Sequence, residues 1–170
     1  MKKKYAVILI LAVILLSATG CSSKKTPPLT PKEPVFAEGT VKISGENVSC
    51  SAGDIIDYVI TMDENPGIYC VLFALNYDDT KLELLSHESG SAIPLTTTAQ
   101  YITDNPYSFI FENDDLGENG KETGTLVTVK FQVKEDAAGT IPIILEDFDS
   151  VNVEGQYVNV EHENGSITIN

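Results

Sequence analysis

The residues of this chain that could do chemistry are mostly carboxylates, and several stand in adjacent pairs: Asp78/Asp79, Asp114/Asp115 and Glu146/Asp147. Such a pair serves acid–base work only when one member is desolvated enough to keep its proton at neutral pH. In a chain with 25 Asp and Glu among 170 residues, pairs arise from composition alone. Nothing in the flanking residues marks one as desolvated, so no catalytic residue is assigned and the chain reads as a non-enzyme. Asn113, Asp114 and Asp115 offer oxygens to calcium, but the fixed offsets of an EF-hand ring are missing. His87 and His162 lie far apart and no CxxC occurs, which leaves no zinc signature. No metal or cofactor is assigned. Cys50 and Cys70 read as independent, partly buried thiols, although export would permit a disulfide. Tyr101, Tyr107 and Tyr157 could form a strip on which sugars stack, in a chain that has no Trp.

The elements that must position these residues begin after a targeting segment. Lys2–Lys4 supply a positive start and Tyr5 to Leu16 an apolar run too short for a comfortable membrane span. Ala18-Thr19-Gly20 then precede Cys21, and the arrangement over residues 1–20 resembles a bacterial lipoprotein signal. That resemblance implies that Cys21 is lipidated and anchors the chain to the outer face of the cell membrane. Residues 21–38, with Lys24-Lys25 and half of the eight prolines, read as an extended spacer reaching about 3.1 Å per residue. Residues 39–170 are the size of one domain. The formal net charge is −14, there is no arginine, and removing Lys2–Lys4 deepens the imbalance. Such a chain does not bind nucleic acid or anionic lipid electrostatically.

The domain is organised around Gly67 to Leu85. Tyr69, Val71, Phe73 and Leu75 alternate with Cys70, Leu72, Ala74 and Asn76, and Asn65-Pro66-Gly67 supplies a turn before them. Both sets are largely apolar, so this strand either lies mid-sandwich or has an outer face meant to be covered. Thr125 to Val133 alternates cleanly, with Val127, Val129, Phe131 and Val133 inward. Further short strands are expected at Ala99–Ile102, Tyr107–Phe111, Thr140–Leu145, Ser150–Val153, Tyr157–Val160 and Ser166–Ile169. With no long amphipathic helix, the fold expected is an all-β sandwich of about nine to ten strands.

The order and content of these strands resemble a cohesin domain, the receptor module of cellulosome-type assemblies, which implies that the sandwich is a jelly roll. The resemblance rests on Ser51-Ala52-Gly53-Asp54 before a strand, Gly67-Ile68 leading into the apolar strand, and Asn76-Tyr77-Asp78 followed by Leu82-Glu83-Leu84. Gly124-Thr125-Leu126, Val129 to Lys134, and a closing Gly165-Ser166-Ile167 complete it. It implies a dockerin-bearing partner, calcium carried by that partner, and a binding face on one sheet. The residues it places there are Cys70, Leu72, Ala74 and Asn76, with Ser108, Ile110, Thr128, Lys130 and Gln132 added by alternation. The best-known cohesins carry Asn and Asp at the positions matched by Cys70 and Leu72, so the face expected here is more apolar. It would be an apolar patch rimmed by Thr128, Lys130 and Gln132, unless the loop Ser86 to Thr98 covers it. The expected function is recruitment of a dockerin-bearing enzyme or scaffold to the cell surface. The alternative is a carbohydrate-binding module or adhesin on the same fold, with polysaccharide as its partner.

Overall fold

The computed structural model describes residues 33–170. The expected signal, the lipidated Cys21 and most of the spacer lie outside the described residues. Eleven strands fill the described chain, in the order β1 (Phe36–Gly45), β2 (Asn47–Cys50), β3 (Ile55–Glu64), β4 (Cys70–Asn76), β5 (Leu82–Ser89), β6 (Leu95–Thr98), β7 (Tyr107–Glu112), β8 (Gly124–Val133), β9 (Gly139–Val151), β10 (Tyr157–Glu163) and β11 (Gly165–Ile169). The first strand therefore begins at Phe36, inside the stretch read as spacer. No helix occurs among the described residues, and the all-β jelly roll follows the sequence expectation.

Hydrogen bonding runs β5-β8-β3-β1-β10-β9-β4-β7-β6, with β11 paired to β2 and to the first half of β9. The path curls until its ends meet across the core. His87 on β5 hydrogen-bonds Tyr107 on β7 at 3.1 Å, and Phe131 on β8 meets Tyr77 beyond β4 with ring centroids 5.0 Å apart. One layer is thus β9-β4-β7-β6 and the facing one β5-β8-β3-β1. Between them lie the rings of Phe73, Phe109, Phe111 and Phe131, all fully buried. Each contributes on the order of 2–3 kcal/mol by leaving water.

Two differences in element boundaries have physical causes. Thr140–Leu145 and Ser150–Val153, expected as two strands, are largely one strand, β9. The polar stretch at Glu146-Asp147 that separates them in sequence is a bulge, with Asp147 at φ 55° and the register against β4 shifting between Leu72 and Ala74. Ala99–Ile102, expected as a strand from its Tyr and Ile, is a bend. Pairing with β7 is taken instead by Leu95–Thr98 and ends where the Ala99 amide donates to the Ser108 carbonyl at 2.9 Å.

Candidate partner-binding surface

Strand β4 sits between β7 and β9 and carries the surface. Its entry is fixed by Asn65-Pro66-Gly67: the Gly67 amide donates to Asn65 Oδ1 at 3.0 Å, and Gly67 takes a φ of 117° that a residue with a Cβ adopts only under strain. Val71, Phe73 and Leu75 then point into the core and are fully buried, as expected. Cys70, Leu72 and Asn76 face outward and are half-buried. Ala74 shares their side but is only 4 % exposed, its methyl lying low among larger neighbours.

Register supplies those neighbours. On β7, Ser108, Ile110 and Glu112 stand opposite Ala74, Leu72 and Cys70. On β9, Ile144, Glu146, Asp149 and Val151 stand opposite Asn76, Ala74, Leu72 and Cys70. The result is an apolar strip of Cys70, Leu72, Ile110 and Val151 flanked by carboxylates. Asn76 Nδ2 donates to Glu146 Oε1 at 3.0 Å, and the Ser150 hydroxyl donates to the Cys70 carbonyl at 3.2 Å. Burial, reinforced by the charges of Glu112 and Asp149, holds the Cys70 thiol above its ordinary pKa, so it is neutral at pH 7. A shallow hollow of about 70 Å³ opens between Cys70, Leu72, Asp149, Ser150 and Val151.

Cys70, Leu72, Ala74, Asn76, Ser108 and Ile110 are thus brought together as expected. Thr128, Lys130 and Gln132 are not. They lie on β8, whose partners are β3 and β5 in the facing layer, so their outward side is the far side of the sandwich. There Lys130 Nζ pairs with Asp57 Oδ1 at 3.0 Å and Gln132 Nε2 donates to the Gly53 carbonyl at 2.8 Å. Alternation tells which side of a strand a residue takes, but not which layer the strand joins. The rim is instead acidic and comes largely from β9. Its pairing with β4 spans some seventy residues of sequence and leaves no local signal. The loop Ser86 to Thr98 does not cover the surface: it contributes the end of β5 and then β6, which extends the layer beyond β7.

The other candidates resolve separately. Tyr107 is buried at 2 % exposure and bonded to His87, whereas Tyr101 and Tyr157 are exposed on different elements, so the tyrosine strip does not form. Cys50 and Cys70 are both free thiols. Asp78 is a turn residue that accepts from the Thr80 amide at 3.0 Å, and its bonds to Thr80 and the nearby Lys81 hold its carboxyl below the ordinary value. Asn113 Oδ1 accepts from the Asp115 amide at 3.1 Å, an Asx turn. Among the described residues, no cluster of three or more His, Cys, Asp or Glu is arranged to hold a metal ion.

With this geometry in hand, known proteins can be set beside the chain. It is 25% identical over 190 residues to cellulose-binding protein A of Clostridium cellulovorans, covering 94% of this chain but only 10% of that protein. Its fold matches the cohesin of a type I OlpA cohesin–dockerin complex from Clostridium thermocellum with a TM-score of 0.70 at 20% identity, over 78% of this chain and 100% of that one. It matches the third ScaC cohesin of Acetivibrio cellulolyticus, solved in complex with a ScaB dockerin, with a TM-score of 0.67 at 24% identity, over 76% and 98%. The cohesin domain family model matches residues 39–169, and with almost every described strand inside that match the chain belongs to the cohesin family.

Proposed function

We propose that this chain is a non-catalytic receptor that holds a dockerin-bearing partner at the cell surface, tethered through Cys21. The observation that carries the reading is the exposed side of β4 and its neighbours. One layer of a sandwich whose inner side is already core presents a second apolar strip to solvent, with no segment of the described chain laid over it. Apolar strips edged by polar groups are characteristic of partner surfaces. Family membership supplies the class of partner, and the solved relatives in dockerin complexes support it. The partner is expected to be a polysaccharide-degrading enzyme or a scaffold.

The test is a binding titration of the full chain against dockerins of several types, with and without calcium. Tight binding to one type, abolished by chelation, is the expected result. Leu72→Asp is expected to weaken that binding by at least a hundredfold, because it puts a charge into the desolvated centre of the contact. Its thermal midpoint should stay near that of the wild type, since Leu72 lies outside the core. Silence across the panel would overturn the reading. A second reading, glycan binding, has one observation in its favour. Phe36 and Tyr157, with ring centroids 5.9 Å apart, flank a hollow of about 420 Å³ at the seam of β9 and β10. Retention of the chain on insoluble polysaccharide, lost in Tyr157→Ala, would support it.

A further inference from the structure

The hollow beside Cys70 makes the surface selective as well as adhesive. Its lining is apolar apart from the Asp149 carboxylate at one side. Leu72 and Val151 offer only methyl groups, and the Cys70 thiol is neutral. Ser150 is turned inward by its register with Val71, and its hydroxyl is already donated to the Cys70 carbonyl. The one charged group is Asp149, opposite Leu72, while Glu112 stands on the other side of Cys70. At about 70 Å³ the space is roughly twice the volume share of a liquid water molecule, and under half of the ~150 Å³ that admits a benzene ring.

Resting on the dockerin reading above, we infer that this hollow seats a single aliphatic side chain of the partner, of the size of Val, Leu, Ile or Met. A hydroxyl or amide placed against Leu72 and Val151 would lose its water and find only the Asp149 carboxylate, at the edge of the lining, to take a hydrogen bond. An acidic residue next to the inserted side chain would meet Glu112 or Asp149, so its flanks are neutral or basic. The surface therefore favours an apolar side chain over a polar one at this point.

The test uses a dockerin that binds the wild-type chain and two variants of the socket. Cys70→Met fills it with a flexible apolar group, and Val151→Thr keeps its shape but adds a hydroxyl. Each aliphatic residue on the dockerin surface is changed singly to Ser, and affinities are measured by calorimetry for every combination. Both socket variants are expected to bind at least tenfold more weakly than wild type. One dockerin substitution should cause a similar loss and be strongly non-additive with Cys70→Met, which identifies the inserted side chain. Circular dichroism of each variant separates loss of fold from loss of contact, and either variant suffices if the other misfolds. A dockerin that binds wild type and both folded variants equally overturns the socket while leaving the dockerin reading intact. So does a set of substitutions none of which couples to Cys70→Met. Failure of every dockerin to bind the wild-type chain overturns both.

Discussion

At the scale of single residues, the least satisfied group in the described chain is the hydroxyl of Tyr58. The side chain is fully buried on β3, its oxygen has no hydrogen-bond partner, and it lies against Gly45 and Gly165. A Cβ on Gly165 would run into both this hydroxyl and the Glu46 carbonyl, which is why that position is glycine. Burial first and the Glu46 charge second hold the phenol well above its ordinary pKa. Tyr58→Phe is expected to stabilise the fold by about 1 kcal/mol at neutral pH, since it removes a desolvated group and no bond. The sign of its pH dependence follows. Above the ordinary tyrosine value of about 10 the unfolded chain ionises while the folded chain keeps its proton, so wild-type stability falls as pH rises. Urea midpoints from pH 8 to about 11 should fall less steeply for Tyr58→Phe than for wild type. The outward set on β4 was legible in the sequence because alternation is local. The fate of Tyr58 was not, because Gly45 and Gly165 come from opposite ends of the domain.

At the scale of elements, β9 is the strand on which the surface depends. Its first part, Gly139–Ile143, pairs with β11, Ile144–Val151 pairs with β4, and Val151 also meets β10, so one strand serves three neighbours. Within the part paired with β4 lies Asp147, whose φ of 55° is uncommon for a residue with a side chain. Asp147→Gly is expected to leave the fold unchanged and stabilise it by up to about 1 kcal/mol, whereas Asp147→Val should cost about 1–2 kcal/mol. Chemical denaturation of the two variants beside wild type checks both signs. This element also shows where sequence reading stops. Glu146-Asp147 looks like a loop between strands, and only the register against β4 reveals a bulge. By the same limit, the clean alternation of β8 gave the correct outward residues and the wrong layer, because layer membership is decided by long-range pairing.

At the scale of the molecule, charge is unevenly spread. Strands β4, β6, β7 and β9 carry Glu112, Glu146, Asp147 and Asp149 and no lysine. The described lysines lie on β1, on β8 or in connecting segments, where Lys42 pairs with Glu163, Lys81 with Asp78 and Lys130 with Asp57. The charged groups that the strands of the proposed surface carry are therefore all carboxylates, and a partner approaching it is guided by basic groups. Raising ionic strength from about 0.05 to 0.5 M is expected to slow association roughly tenfold and leave dissociation nearly unchanged. Stopped-flow or surface-based kinetics would show it. Sequence composition announced the acidity but not its segregation, which depends on which strands become neighbours.

The same edges answer a problem that any open apolar strip creates. A second copy of this chain offers Leu72 and Ile110 an equally apolar counterpart. Face-to-face docking by a two-fold axis would bring Glu112 and Asp149 of one copy near those of the other, with no lysine to separate them. Repulsion between identical edges is expected to oppose that docking and leave the strip vacant. Sedimentation at low salt should accordingly show a single monomeric species even at high concentration.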